Sequence, residues 1–197
     1  MDYSILKTTD RTLLISGTYA LLMRYDKYTA MHSLRVAEFA RQIAAVCRFP
    51  EPYQEFIYTC GLLHDIGKTM VSPNILNKMS ALTDKEYSVI KHHVLYGNRI
   101  LSEYLPSCPE YALCARYHHE RLDGTGYPDS LLGMQIPEYA KLIAVADVSD
   151  VLFCGRVYCK PLAADAIKNE LLRCSGTQFD LEFSMAAILL LDNHISP

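Results

Sequence analysis

The chain has 197 residues, of which 50% are hydrophobic and 21% are charged, and its formal net charge is −3. This length and composition indicate one globular domain, or a domain with an extension, and exclude a disordered chain. The negative charge argues against a non-specific binder of long nucleic acids, whose binding face is basic, but it is compatible with a small phosphorylated ligand.

The N-terminal MDYSILKTTDRTLLISG lacks the pattern of a signal peptide, and no apolar stretch reaches the roughly 18 residues of a membrane helix. The most apolar stretch, YAKLIAVADVSDVLF, is interrupted by Asp147 and Asp150. Seven cysteines without CxxC spacing indicate neither a disulfide framework nor a cysteine zinc site. We therefore expect reduced thiols in a cytoplasmic protein that does not bind membranes.

The first predicted elements are helices. HSLRVAEFARQIAAVC has an apolar face at helical spacing, with Arg35 on the outer side, and a second helix is expected over about residues 53–66. Gly67 is expected to end the second helix in a positive-φ conformation. Thr83 and Glu86 form a T-x-x-E capping box, which predicts a long third helix with Tyr87 and His93 on its inward face.

A fourth helix is expected to end at His119, and Pro137 precedes a fifth that is apolar nearly all round. AADAIKNELL and LEFSMAAILLLDN predict two more. The sequence thus predicts one all-α domain, with residues 1–27 as a helical N-terminal lead-in.

Five histidines fall on inward helix faces or at helix ends, and Asp65 follows one of them. Asp147 lies in an apolar helix with no lysine or arginine three or four residues away, where an ionised carboxylate needs a partner or a metal. Five imidazoles and two carboxylates suit two metal ions that share a bridging carboxylate, an arrangement typical of phosphoester hydrolysis. The candidate ligands are His32, His64, Asp65, His93, His118, His119 and Asp147.

Each candidate also has a structural interpretation. A single inward histidine is more often a hydrogen-bonded core residue than a ligand, Asp147 alone suits a buried arginine partner, and DGTGYP alone is a turn. The combination favours a metal site, because metal-capable groups cluster at functional sites. His92 and His194 are expected at the surface.

Six motifs, in this order, resemble the HD superfamily of metal-dependent phosphohydrolases, and more narrowly the HD-GYP domain. They are YTAMHSLRVAEFA, LLHDIGK, IKHHVLYGNRIL, HHERLDGTGYP, IPEYAKLIAVADVSD and GTQFD. The resemblance covers about residues 28–197 and implies an HD-domain helical bundle. It also implies a phosphodiesterase that hydrolyses cyclic di-GMP to pGpG, GMP or both through a dinuclear centre.

The same resemblance implies that the seven candidates are the ligands and that Asp65 is the bridging one. It implies catalytic roles for Asp65, for Lys68 as a cation near the scissile phosphate, and for Asp150, which would orient Lys68 or the attacking water. Arg121 and Asp123 would anchor the loop beside the site. The expected substrate-binding residues are Arg121, Asp123, Gly126, Tyr127, Pro128, Arg156 and Lys160.

Departures from the family pattern leave alternatives open. Cys159 replaces a common arginine, so another cyclic dinucleotide such as 3′3′-cyclic GMP-AMP is an alternative substrate. Tyr28 stands where some members have an additional glutamate ligand, which favours two metals over three. A catalytically silent binding or scaffold domain is a third interpretation, against which the intact ligand set argues.

The expected ions are iron or manganese, with zinc, nickel or magnesium also compatible. Residues 1–27 are too few for the sensor domain that family members usually carry. A homodimer or a signalling-protein partner is compatible with the sequence.

Overall fold

The computed structural model describes residues 8–155, 161–193 and 197. The described residues form helices and only two isolated β-bridges, with no β-strand. The helices are α1 (Thr8–Tyr25), α2 (Lys27–Val46), α3 (Glu51–Leu63), α4 (Pro73–Leu76), α5 (Asp84–Lys91), α6 (His93–Tyr104), α7 (Pro109–Tyr117), α8 (Glu138–Cys154), α9 (Ala164–Cys174) and α10 (Leu181–Asp192), with 3-10 turns at Ile66–Met70 and Gly133–Gln135. The predicted all-α fold is confirmed.

Helix α2 shows how apolar spacing places a polar residue in the interior. The Asp26 carboxylate caps its N-terminus by accepting a hydrogen bond from Thr29 N at 3.1 Å. The buried face continues through Val36, Phe39 and Ile43, and His32 lies on that same face. Because α2 packs against α3 and α8, this histidine points between three helices.

The second predicted helix ends three residues earlier than expected. Helix α3 stops at Leu63, and the 3-10 turn Ile66–Met70 follows. The expected positive φ at Gly67 was wrong, because the positive-φ residues lie elsewhere. Gly67 instead permits close packing: a Cβ there would lie 1.9 Å from the carbonyl oxygen of His93.

The predicted long third helix is two helices. The capping box at its start is confirmed, since Glu86 N donates to Thr83 Oγ1 at 3.3 Å and Thr83 N donates to the Glu86 carboxylate at 2.8 Å. The backbone N–H of His92 donates to the carbonyl of Val89, three residues earlier, and not to the residue four positions earlier as in an α-helix. Helix α6 starts at the next residue. The inward position predicted for Tyr87 was wrong: α5 has no buried residue, and Tyr87 is 49% exposed.

Helix α8 lies at the centre of the bundle and contacts α2, α3, α7, α9 and α10. Its residues from Leu142 to Asp147 are buried, as the sequence predicts, and Pro137 precedes its first turn. No helix in the described part of the chain combines the length and apolarity needed to cross a membrane.

The predicted helical lead-in corresponds to α1, which packs against α2 and the Ile66–Met70 turn. The domain boundary at residue 28 stays a prediction. Arg156, Cys159, Lys160 and His194 lie outside the described residues.

Candidate metal centre

The seven predicted ligands converge from five segments of the chain. They are His32 on α2, His64 and Asp65 after α3, His93 at the start of α6, His118 and His119 after α7, and Asp147 on α8. Neighbouring imidazole rings have centroids 4.1–5.5 Å apart. Six of the seven side chains are buried and His119 is partly buried, so the cluster lies at the inner end of a cleft rather than on the surface.

The Asp65 carboxylate lies in the middle of the cluster. Its Oδ1 is 3.2 Å from Nε2 of His93 and 4.0 Å from Nε2 of His118. Its Oδ2 is 3.4 Å from Nε2 of His64 and 3.7 Å from Nε2 of His32. Each oxygen therefore faces a different pair of imidazoles, which is the geometry that a bridging carboxylate needs.

Ligand atoms form compact groups on both sides of this carboxylate. Three sets of side chains have ligand atoms within 4.8 Å of one another: His93 with His118 and His119, His32 with His64 and Asp147, and His64 with Asp65 and His118. The first two sets share no residue. The described residues thus offer two separate three-ligand groups with Asp65 between them.

Backbone carbonyls fix the tautomers of three of these histidines. Nδ1 of His64 donates to Gly61 O at 2.6 Å, and Nδ1 of His93 donates to Ile90 O at 2.8 Å. Nδ1 of His118 donates to a carbonyl of α7 at 3.0 Å. In a neutral ring the lone pair is then on Nε2, the atom that faces the cluster, as in histidine metal sites generally.

Several buried atoms of the cluster have no hydrogen-bond partner among the described residues. They are Nε2 of His32, Nε2 of His64, Oδ1 of Asp65 and Oδ1 of Asp147. Buried polar atoms are normally satisfied; here the two carboxylate oxygens are acceptors, and so are the two imidazole nitrogens when their rings are neutral. A donor set of imidazoles and carboxylates with orphaned acceptor atoms fits divalent metal ions.

Burial and neighbouring charges set the protonation states of the cluster. Burial lowers the pKa of His119 to about 3 and holds the pKa of His118 well below its usual value, so both rings are neutral at pH 7. Burial alone would raise the pKa of Asp65 and of Asp147. The Lys68 ammonium near Asp65 and the His32 imidazole near Asp147 outweigh it and hold both pKa values well below normal. Burial would lower the pKa of His32, but the neighbouring carboxylates of Asp147 and Asp150 outweigh it and raise that pKa.

Asp150 contacts different residues from those expected. Its Oδ2 accepts from His32 Nδ1 at 2.6 Å and from Arg35 Nη2 at 3.0 Å, and its Oδ1 accepts from Arg35 Nε at 2.5 Å. It does not contact Lys68, which instead pairs with Asp65. Asp150 therefore orients a histidine of the cluster, and Arg35 holds Asp150.

The sequence interpretation missed Arg35, which it placed on the outer side of α2. One local signal was present, because Arg35 lies one turn after His32 and Asp150 lies one turn after Asp147. These two pairs of residues come together because α2 packs against α8. Arg35 and Asp150 are 115 residues apart in sequence, so this local signal alone does not predict their contact.

A second missed residue, Glu120, supports the loop that follows the histidine pair. Its side chain is 3% exposed, and its two carboxylate oxygens accept from Asp129 N at 2.7 Å and from Leu131 N at 3.0 Å. These charge-assisted hydrogen bonds tie the backbone of the loop at Asp129 and Leu131 to the Glu120 side chain. Gly126 packs against the start of the same loop, where an added Cβ would lie 2.4 Å from Arg121 N.

The other loop residues connect the histidine pair to the late GTQFD segment. Arg121 forms an ion pair with Asp123 at 2.9 Å and contacts the Gln178 side chain, while Asp123 N donates to Thr177 O at 2.8 Å. The Tyr127 ring stacks on His119 with centroids 4.9 Å apart, and the Tyr127–Pro128 peptide bond is cis. The loop thus lies directly over one of the candidate ligands.

A cleft of about 380 Å³ opens beside the cluster. That volume is within the usual range for small-molecule sites. Four of the candidate ligands line the cleft together with Lys68, namely His93, His118, His119 and Asp147, and apolar side chains of α8 line one side. The loop residues Arg121, Gly126 and Tyr127 line another side, and Tyr87 and Lys91 of α5 complete the wall.

Comparison with known proteins shows the family of the chain. Residues 17–182 match the HD domain family. A cyclic di-GMP phosphodiesterase of Vibrio cholerae is 36% identical over 87% of this chain and 38% of its own length. A cyclic di-GMP phosphodiesterase of Pseudomonas aeruginosa is 40% identical over 73% of this chain and 35% of its own length. A 3′3′-cGAMP-specific phosphodiesterase of V. cholerae is 32% identical over 89% of this chain and 34% of its own length. The chain thus spans little more than a third of the length of these relatives.

Solved structures share the fold. An HDG"Y"P protein from Bdellovibrio bacteriovorus aligns with a TM-score of 0.69 at 18% identity, covering 83% of this chain and 52% of that one. The PgpH HD domain of L. monocytogenes, in complex with cyclic-di-AMP, aligns with a TM-score of 0.64 at 20% identity, covering 90% of this chain and 96% of that one. With its family match, its motifs and its helical bundle, the chain belongs to the HD-domain family and is of the HD-GYP type.

Proposed function

We propose that this chain is the catalytic domain of a metal-dependent phosphodiesterase that hydrolyses cyclic di-GMP to pGpG, GMP or both. The observation that carries the proposal is the position of Asp65, whose two oxygens face two separate groups of buried ligand atoms. This arrangement supports a dinuclear centre, and the cleft beside it has room for a small phosphorylated ligand.

His93, His118 and His119 would hold one ion, His32, His64 and Asp147 the other, and Asp65 would bridge them. Such ions, when bound, supply an acidified water and charge neutralisation for phosphoester hydrolysis. Imidazole and carboxylate ligands accept iron or manganese, which we propose as the metals of this site.

Residues beside the candidate ligands would assist the reaction in different ways. Lys68 is 6% exposed and lines the cleft, so its ammonium can neutralise charge on a phosphate bound there. Asp150 positions His32 by holding its Nδ1–H. The apolar side chains of Val148, Val151 and Phe179 reduce the access of water to the cleft.

Cyclic di-GMP is the first choice of substrate because a relative named for it is 40% identical over 73% of this chain, against 38% over 66% for a 3′3′-cGAMP-specific relative. A second candidate is 3′3′-cGAMP, since a relative specific for that compound is 32% identical over 89% of the chain. Both candidates have two phosphodiester groups in one ring, so the same cleft chemistry serves either.

We also infer a cytoplasmic location. The cysteines in the described part of the chain are free thiols rather than disulfides, which is typical of a reducing compartment.

The experiment that tests the proposal starts from anaerobically purified protein loaded with iron(II) or manganese(II). Metal per chain is counted by mass spectrometry, and each cyclic dinucleotide is incubated with the protein and followed by chromatography. About two ions per chain with pGpG or GMP as product is the expected result. Faster turnover of 3′3′-cGAMP would favour the second candidate, and an intact substrate bound by metal-loaded protein would favour a binding domain. Failure to load metal would overturn the proposal.

A further inference from the structure

Helix α5 forms one wall of the cleft but contributes nothing to the metal cluster. Tyr87, Ile90 and Lys91 line the cleft from this helix. The Lys91 ammonium lies 4.8 Å from the centroid of the Tyr87 ring and 5.0 Å from the centroid of the Tyr127 ring. Two cation–π contacts therefore hold the charge at the mouth of the cleft.

Three lysine or arginine side chains line the cleft, and their partners differ. Lys68 pairs with Asp65, and Arg121 pairs with Asp123. Among the described residues, no carboxylate lies within ion-pair distance of Lys91, and its ammonium lies beside the Tyr87 and Tyr127 rings. A cation in this situation can bind an anionic group of a ligand that enters the cleft.

The position of Lys91 separates it from the reacting end of the cleft. It contacts Tyr127, and Tyr127 in turn stacks on the candidate ligand His119. An anion on Lys91 would thus lie one aromatic ring away from the metal cluster. A ligand that places one anionic group at the metal cluster therefore needs a second anionic group to contact Lys91.

We propose that Lys91, held by the Tyr87 and Tyr127 rings, binds the non-reacting phosphate of a cyclic dinucleotide. The proposal rests on the proposed function, and it identifies the feature that would distinguish a cyclic dinucleotide from a simple phosphodiester. The half-exposed Tyr87 ring lies beside this cation and offers a stacking surface for a base of the same ligand.

The test compares two substrates in metal-loaded protein. Cyclic di-GMP has two phosphates, whereas bis(p-nitrophenyl) phosphate has one. Lys91→Met removes the charge at nearly constant side-chain length, Lys91→Arg restores it, and Lys85→Met removes an exposed lysine of the same helix that does not line the cleft. Because α5 has no buried residue, these variants should keep the fold, which thermal unfolding verifies.

Lys91→Met should lower kcat/KM for cyclic di-GMP about tenfold to hundredfold, mainly through KM, which is the size of one lost charge-assisted contact. Hydrolysis of bis(p-nitrophenyl) phosphate should stay within about twofold, since that substrate has no second phosphate to lose. Lys91→Arg should recover most of the loss, and Lys85→Met should match the unaltered protein. Equal losses on both substrates, or none on either, would overturn the role of Lys91.

Direct binding separates this inference from the proposed function. Titration calorimetry with cyclic di-GMP is run on the same proteins, and Lys91→Met should weaken binding by the same factor. If the unaltered protein binds without turnover and Lys91→Met weakens binding, the phosphate position stands and the catalytic proposal fails. If the protein is active and the variant binds and reacts normally, only the inference about Lys91 fails. If the unaltered protein neither binds nor hydrolyses the compound, both fail.

Discussion

Nε2 of His32 and Oδ1 of Asp147 lie 3.0 Å apart in the buried interior, and neither atom has a hydrogen-bond partner in the described part of the chain. Nδ1 of His32 is already bonded to Asp150, so a neutral ring directs a lone pair toward the carboxylate oxygen. Two acceptors at this distance repel each other, and either a proton on Nε2 of His32, whose pKa is raised by Asp147 and Asp150 despite its burial, or a metal ion between the two atoms relieves the repulsion. The pair is therefore a position at which a bound metal ion can replace a proton.

The first prediction concerns metal removal. Saturation with manganese(II) at about one hundred times its dissociation constant should stabilise the protein by about 2.7 kcal/mol for each bound ion, relative to the chelator-treated form. For a domain of this size, the melting temperature should rise by roughly 5–10 °C for each ion. Differential scanning calorimetry measures the shift, and the double variant His32→Ala, Asp147→Ala serves as control. A shift of the same size in that double variant would show that these two residues do not bind the ion.

The second prediction separates two neighbouring histidines. His93 is 1% exposed with Nε2 directed at Asp65, whereas His92 is exposed and its Nδ1 is paired with Ser88 O. His93→Ala should lose bound metal and activity, and His92→Ala should keep both. Metal analysis of the two variants in parallel is the measurement. Equal losses would contradict the position of α6.

The third prediction concerns the bridging role of Asp65. Asp65→Ala should remove both ions, because each of its oxygens faces a different group of ligands. Asp147→Ala should leave about one ion per chain, because Asp147 belongs to only one group. Mass spectrometry of the native proteins counts the ions, and Asp65→Asn shows whether a smaller change has the same effect. Full metal content in Asp65→Ala would rule out the bridge.

The fourth prediction concerns the side chains that hold His32. Asp150→Asn should weaken metal binding by about tenfold to hundredfold, as is typical when the hydrogen-bond partner of a histidine ligand is replaced. Arg35→Met should weaken it in the same direction, since its guanidinium fixes both oxygens of Asp150. Arg41→Met is the matched control on the same helix, because Arg41 pairs with Glu38 and not with Asp150. Metal titration followed by calorimetry gives the affinities, and unchanged affinity in Asp150→Asn would refute this role.

The fifth prediction compares two glycines. Gly126→Ala should destabilise the protein by about 1–3 kcal/mol and reduce activity, because the new methyl group would overlap the backbone of Glu120 and Arg121. Gly17→Ala meets no atom within 4 Å and should instead stabilise helix α1 by about 0.5–1 kcal/mol. Urea unfolding gives both free energies. A Gly126→Ala protein as stable as the unaltered one would show that the loop can move away.

Helical spacing was enough to predict which side chains of the cluster point inward, including the choice of His93 over His92. It was not enough to predict the contacts between helices. The role of Arg35 depends on a carboxylate 115 residues away, and the need for glycine at position 67 depends on the carbonyl of His93. Glu120 has backbone partners nine and eleven residues further on, so no local pattern distinguishes it from a solvated acid.

The separation of α5 from α6 at His92 has a consequence for how such a site can change. His93 is fixed to the Ile66–Met70 turn by the close contact with Gly67, whereas α5 has no residue in the core. Substitutions on the cleft side of α5 therefore alter the ligand-facing wall at little cost to folding and without shifting any candidate ligand. Tyr87 and Lys91 can therefore change during evolution while the histidines and aspartates of the metal cluster stay in place.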